Sequence, residues 1–415
     1  MLDIQQIRKH PKQIQKNFER RGFKISVEEI LKLDREKRML QTEVQEARHE
    51  KSLLSKEVAQ RKKQRADAED LLESIRRIDG TIHSRETALR EKAEKLADVL
   101  MVLPNLLEDD VPDVSQVLYM SGQQQVYSFT PVSHIELCRE HGLIDYETAG
   151  SLMGSGYWIY RGLGARLEWA LLNFCLEENQ KAGYEMLIFP PVAKEICGFG
   201  AGQFPKFRDE VYNVQDEDQF LIPTAETVLV NFYLNKILEN KQLPLKYTAF
   251  TPCFRREVSK KPDEKGMIRG HHFNKVELVQ FVSEEQSEEA FFHVLAQAEH
   301  LMRLLGLHYR VVRLAADECS SAMAVTYDLE VWLPAERRYI EVSSVSNART
   351  FQTRRTNTRY KDSGGKIHYV HTLNGSGLAT SRLFAAVLEQ NQMEDRTIRI
   401  PKVLVPWVGT DVLSR

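Results

Sequence analysis

Residues 251–281 read TPCFRREVSKKPDEKGMIRGHHFNKVELVQF. The stretch divides into strand, polar loop and strand: TPCFRRE runs from apolar to charged, VSKKPDEKG carries Pro262 and Gly266, and HHFNKVELVQF resumes a near-alternating pattern. Arg255 and Arg256 enter the loop together, and Arg269 leaves it. Guanidinium groups beside Phe273 and the carboxylates Glu257 and Glu277 suit a phosphorylated aromatic base with an amine nearby, so a nucleotide is the first ligand class to consider. A solvated charged hairpin is the competing reading, and this stretch alone does not separate the two.

On either side of the hairpin, strand-like and helix-like segments alternate irregularly. FLIPTAE, HYRVVRLAA, AVTYDLEVWLP, RRYIEVSSVSN and KIHYVHTLNGSG read as strands, and helices are expected near residues 168–180, 223–238, 284–304 and 377–391. Tight turns such as LPAERR, in place of regular helical crossovers, predict an antiparallel sheet with helices packed on it. The segment EMLIFPPV ends in Pro190 and Pro191, which make it an edge or terminating strand. Neither GxxxxGK[ST] nor GxGxxG occurs, so the usual parallel-sheet phosphate loops are missing.

The N-terminal quarter has a different character. Residues 1 to about 25 predict a short helix and a turn at Gly22; from Ser26 to Leu103 there is no proline and one glycine, Gly80. Leu40, Val44, Ala47, Leu54 and Val58, then Leu71, Ile75, Ile78, Ile82, Leu89 and Leu96, follow heptad-like spacing on either side of the polar break KKQRADAED. This predicts an antiparallel two-helix coiled-coil arm whose legs are each about 50 Å long at 1.5 Å per residue. Residues 35–65 carry ten basic and five acidic side chains, against six and nine for residues 66–98. A two-helix arm has too little core to be an enzyme, and its basic leg favours a phosphate backbone, with a plain solvated coiled coil as the alternative.

The whole chain has 415 residues and a net charge of −2, which fits two or three domains and argues against a broadly basic nucleic-acid coat. Five scattered cysteines, none in CxxC, suit a reducing cytosol and give no zinc signature. No run approaches the roughly 18 apolar residues of a membrane span. The proline pair and acidic cluster of VLPNLLEDDVPDVSQ, residues 102–116, mark a boundary.

Three further pieces are candidates for chemistry. In Pro223-Thr224-Ala225-Glu226 a hydroxyl and a carboxylate share one turn, which could equally be a plain N-cap. In TYDLEVW and RYIEVSS, alternation sends Asp328 and Glu330 to one face, and Glu341 with Ser344 offers hard oxygen ligands of the kind Mg²⁺ accepts. In TLNGSGLATSR small residues end a strand and open a helix, placing Arg382 within reach of an anion near the helix start.

Taken together these residues resemble the class II aminoacyl-tRNA synthetases. FRRE with Arg269 is similar to motif 2, GSGLATSR to motif 3, and EMLIFPP to the motif 1 strand of the dimer interface. The helical arm with GQFPKF, IPTAE, FNKVE, TYDLEVW, EVSSVSN and HTLNGSGLA resembles the seryl-tRNA synthetase family, in order and over essentially the whole chain. The resemblance implies an α+β chain with an N-terminal helical domain and arm over 1–103, a connecting region over 104–165 and a class II catalytic domain over 166–415. It implies activation of L-serine with ATP and Mg²⁺, transfer to serine tRNA, with selenocysteine tRNA left open, and a cytoplasmic homodimer.

Residue by residue, it implies that Arg255 clamps the α-phosphate and the serine carboxylate, while Arg269 and Arg382 hold the outer phosphates. Phe273 stacks on adenine with Glu257 near its amino group, and Arg256, Val342 and Ser343 belong to the same nucleotide-binding segments. Glu341 and Ser344 bind Mg²⁺. Thr224, Ala225 and Glu226 lie near the serine ammonium, and Glu277, Asn374 and Ser376 near its hydroxyl. The loop VSKKPDEKG lacks the family's small-residue character, RLAADECSSAMAV lacks a Gly-Asp feature, and Val345 and Ser381 replace common residues. These departures leave as alternatives a duplicated or divergent copy that tolerates an inhibitor, charges another carrier, or binds RNA without catalysis.

Overall fold

The computed structural model describes residues 1–257 and 266–414. It divides into two compact units, Leu2–Leu103 and Pro104–Arg415 with Met1. In the first, Asp3 caps helix α1 (Ile4–Lys9) by accepting from the Gln5 N–H. Pro11 opens α2 (Pro11–Arg20), since a residue without an N–H costs nothing at the first helical position. That proline divides what the sequence suggests is one helix.

Helices α3 (Val27–Lys63) and α4 (Glu69–Val102) form the arm, with the turn between them inside the polar break. Ion pairs step along the legs in antiparallel order: Glu36 with Lys92 at 2.6 Å, Glu43 with Arg85, Arg48 with Glu86 at 2.6 Å, Lys51 with Asp79 at 2.5 Å and Arg61 with Asp70 at 2.9 Å. Lys51, which interrupts the heptad, is thus matched by an acid from the opposite leg. Near the tip Val58, Ala68 and Leu71 supply a small apolar cluster.

The second unit is built on eight strands: β1 (Gln116–Ser121), β2 (Glu185–Leu187), β3 (Leu245–Phe254), β4 (His272–Val282), β5 (Tyr309–Arg313), β6 (Val325–Leu333), β7 (Arg338–Arg349) and β8 (His371–Ala379). Their order across the sheet is β1-β5-β6-β7-β8-β4-β3-β2. Every pairing is antiparallel except β2 with β3, so the short motif 1 strand is an edge strand, as its prolines require. Helices α5 (Gly162–Lys181), α6 (Ser287–Leu304) and α7 (Thr380–Gln390) share one apolar core with Val276 and Leu278 of β4 and Leu329 and Val331 of β6. Alternation then turns Lys275 and Glu277 of β4 to the opposite face.

One segment differs from expectation. The helix expected over 223–238 is a single turn, Glu226–Leu229, followed by tight turns. There the Asn231 amide donates to the carbonyls of Cys197 and Thr227, so a side chain competes with the helix ladder. Residues 104–165 pack into the second unit: they supply edge strand β1 and place Leu137 and Leu143 in its core.

The glycines of TLNGSG lie within β8. A Cβ on Gly375 would meet Val294 Cγ1 of α6 at 2.5 Å, and one on Gly377 would meet Asn179 Nδ2 of α5 at 2.8 Å. They let the helices approach the sheet, while Asn374 and Ser376 alternate to the other face.

Candidate active site

A cavity of about 770 Å³ opens on the sheet face opposite this core. Its walls come from the ends of β3, β4, β6, β7 and β8, the first turn of α7 and the turn at Thr224. One end is lined by a hydroxyl, carboxylates and a lysine. Thr224 Oγ1 donates to Glu277 Oε2 at 2.7 Å, and Lys275, two residues along the same strand face, forms an ion pair with that oxygen. Glu277 is fully buried, and its Oε1 has no partner among the described residues. A buried carboxylate oxygen without a donor is costly, and a ligand hydroxyl or ammonium would relieve it. Ser376 is the register partner of Glu277 across β4 and β8, and Asn374 follows on the same face.

Glu226 closes this end. Burial first, and then the Glu277 carboxylate, push its pKa up to about 7, against the opposing pull of Lys275, a Gln352 hydrogen bond and Arg255. Two carboxylates and one lysine thus share this end of the cavity.

The other end carries guanidinium groups and a second set of acids. Arg255 lies over the Phe273 ring, 4.9 Å from its centroid, and Arg269 forms an ion pair with Glu257. Arg382 is fixed by donating through Nε to the Ile268 carbonyl at 3.0 Å and through Nη1 to the Glu341 carbonyl at 2.8 Å, with Glu341 Oε2 at 3.2 Å. Asp328 and Ser344 are register partners on β6 and β7, and Glu330 faces Glu341 in the same pairing. Burial, followed by the Glu341 carboxylate, raises the Asp328 pKa well above the carboxylate range, although Ser344 donates to it. Asp328 Oδ1 is buried without a partner among the described residues. Such an oxygen-only donor set fits a hard divalent cation that keeps several waters.

Residues 1–107 match the family described as Seryl-tRNA synthetase N-terminal domain, and residues 207–391 match the tRNA synthetase class II core domain (G, H, P, S and T). Serine--tRNA ligase 2 of Clostridium acetobutylicum is 44% identical, with 100% of each chain covered. Serine--tRNA ligase of Chlamydia felis is 42% identical over 100% of this chain and 99% of its own. The chain belongs to the seryl-tRNA synthetase family. A crystal structure of seryl-tRNA synthetase from Pyrococcus horikoshii complexed with ATP has a TM-score of 0.96 at 33% identity, covering 100% of this chain and 99% of that one. The cytoplasmic serine-tRNA ligase from Naegleria fowleri in complex with AMP gives 0.90 at 25% identity, with the same coverage.

Most residues to which the family likeness points come together in the cavity: Thr224, Glu226, Arg255, Glu257, Arg269, Phe273, Glu341, Ser344, Asn374, Ser376 and Arg382 line it, and Glu277 lies buried behind Thr224 and Lys275. Others lie apart. Arg256 donates to the Asp209 carbonyl, Ala225 and Val342 are packed in apolar clusters, and Ser343 donates to the Ser376 carbonyl. The atypical loop, residues 258–265, falls outside the described residues. Lys275 and Gln352 were not singled out for the site, and Asp328 was noted only as sharing a strand face with Glu330. For Lys275 and Asp328 the signal was available in the two-residue spacing from Glu277 and Glu330; for Gln352 there was none.

Proposed function

We propose that this protein is a serine-tRNA ligase. It activates L-serine with ATP to seryl-adenylate and pyrophosphate and transfers the seryl group to the 3′ end of serine tRNA. The observation that carries the reading is Glu277, whose buried Oε1 awaits a donor while Thr224 and Lys275 hold Oε2. Serine supplies such a donor, and alanine, lacking the hydroxyl, leaves the oxygen unpaired. Glu226 meets the serine ammonium.

The serine carboxylate attacks the α-phosphorus, forming an oxygen–phosphorus bond as the bond to pyrophosphate breaks. Arg255 reaches both the carboxylate and the α-phosphate, Arg269 and Arg382 hold the outer phosphates, and adenine takes the face of Phe273 that Arg255 now covers. Glu341 and Ser344, with Asp328 beside them, would hold Mg²⁺, which would neutralise charge on the phosphates. The arm, with its basic leg, lies along the tRNA backbone.

The protein acts as a cytoplasmic homodimer in this reading. Support for the dimer lies near the motif 1 edge strand, where Trp169 and Ile188 are 57% and 82% exposed. Among the described residues no helix is long and apolar enough to cross a membrane. A carrier-charging copy has little use for an arm with both legs present, and a silent RNA-binding copy has little use for a full set of cavity groups.

Serine-dependent ATP–pyrophosphate exchange, followed by charging of serine tRNA, tests the proposal. Exchange and charging are expected together; no exchange with any amino acid overturns the enzyme reading, and exchange without charging overturns the tRNA assignment.

A further inference from the structure

Gln352 does not border the cavity, yet it is 1% exposed and directly behind the amine end. It sits in the short helix Phe351–Thr356. Its Nε2 donates to the Ala201 carbonyl at 3.1 Å and to Glu226 Oε1 at 2.8 Å, and its Oε1 accepts from Thr372 Oγ1 at 2.6 Å. A backbone carbonyl can only accept, so the Ala201 contact fixes which end of the amide is nitrogen. The remaining N–H then has one destination, the Glu226 carboxylate. Thr372 is held in turn by its place in β8, between β4 and β7.

We infer that Gln352 is a positioning residue for the amine pocket: as a fixed donor, it holds Glu226 in the rotamer and the ionised form that receive the substrate ammonium. The inference rests on reading this cavity as a serine site. Three other groups act on the same carboxylate: Glu277 opposes its ionisation, whereas Lys275 and Arg255 favour it. Gln352 differs from them in making a neutral, directional hydrogen bond from outside the cavity, so it can tune Glu226 without competing for substrate. A neutral donor also avoids adding a further cation to Lys275 and Arg255 where the ammonium must enter.

The test uses the full-length protein and serine-dependent ATP–pyrophosphate exchange, with KM for serine and for ATP followed between about pH 6 and pH 9 around the Glu226 titration. For Gln352→Met, which keeps the bulk and removes the donor, KM for serine is expected to rise about tenfold with KM for ATP unchanged. The acid limb of the serine profile is expected to move to higher pH, a shift that a merely structural role does not produce. An unchanged serine KM and pH profile, or an equal loss toward serine and ATP, overturns the inference. If Gln352→Met does not fold, Thr372→Val decides instead. It leaves the amide in place but frees its oxygen, and the same shift in smaller measure is expected; no shift overturns the inference. Absence of exchange in the unaltered protein would instead sink the functional proposal itself, so the two failures are distinguishable.

Discussion

Thr224 donates its hydroxyl to the oxygen of Glu277 that Lys275 also contacts, while the second oxygen of that carboxylate is buried with no hydrogen-bond partner among the described residues. Thr224→Val is therefore expected to raise the serine KM about tenfold, since it removes one hydrogen bond to a charged group. The ATP KM should not move. Glu277→Gln is expected to lower serine activation by about a hundredfold or more, because the amide cannot keep both the Lys275 pair and a serine hydroxyl. Steady-state exchange kinetics check both, and a parallel rise in ATP KM would assign Thr224 elsewhere.

Arg382 is held at two carbonyls, of Ile268 and Glu341, before any ligand arrives. Such preorganisation predicts that Arg382→Ala lowers kcat/KM for ATP by about 10²–10³. Equilibrium binding of serine, followed by calorimetry, should be nearly unaffected. A comparable loss of serine binding would contradict the division of the cavity into two ends.

The pH dependence of serine use follows from Glu226, whose pKa is raised to about 7 by burial and by Glu277. The ammonium of serine favours the ionised carboxylate. Below about pH 7 the free pocket is protonated, so serine binding must displace a proton and KM for serine should rise as pH falls. ATP KM measured across the same range supplies the control.

How much of this could be read without coordinates depends on how local the signal was. The arm was visible because heptads and the lack of proline extend over many residues, and strands β3 to β8 because alternation and turns bounded them. The helix expected near 223–238 stops after one turn, where the Asn231 amide goes to the carbonyl of Thr227 nearby and to that of Cys197, a partner distant in sequence. In the cavity, Arg255, Glu277 and Ser376 were legible through motifs. Gln352 was not, because its meaning comes from contacts with Ala201, Glu226 and Thr372, residues that converge only in the fold.

Glu168 of α5 offers a stability test away from substrate. It accepts from Thr380 Oγ1 at 2.5 Å and Asn274 Nδ2 at 2.8 Å, joining α5 to the starts of α7 and β4. Burial raises its pKa to about 7 despite these donors. A carboxyl raised in the folded state favours folding below its unfolded value, and that contribution is lost as pH rises through about 7. Glu168→Gln keeps an acceptor for both donors without the charge. Its melting temperature should therefore gain on the unaltered chain as pH rises, by roughly 2–5 °C under alkaline conditions. A gap independent of pH would show that ionisation is not the cause.

Shortening the arm between about Arg35 and Leu96 is expected to leave serine activation nearly intact while charging of serine tRNA falls by about tenfold or more, as phosphate contacts are lost. Exchange and aminoacylation measured on one preparation separate the two. Equal loss of both would count against the arm as an RNA-binding element.

The pairing of Glu277 with Ser376 across β4 and β8 also governs how this chain can diverge. Adding or deleting one residue in either strand would turn one member of the pair from the cavity to the apolar core, because side chains alternate. Length is therefore constrained at the pair itself, while β8 accommodates one extra residue beside it, in the register shift between Ser376 and Ala379. Ten paired positions set the register of β3 against β4, so a change of length outside these two strands leaves the pair undisturbed. Novelty in this family should accumulate by insertion between strands and by substitution within them.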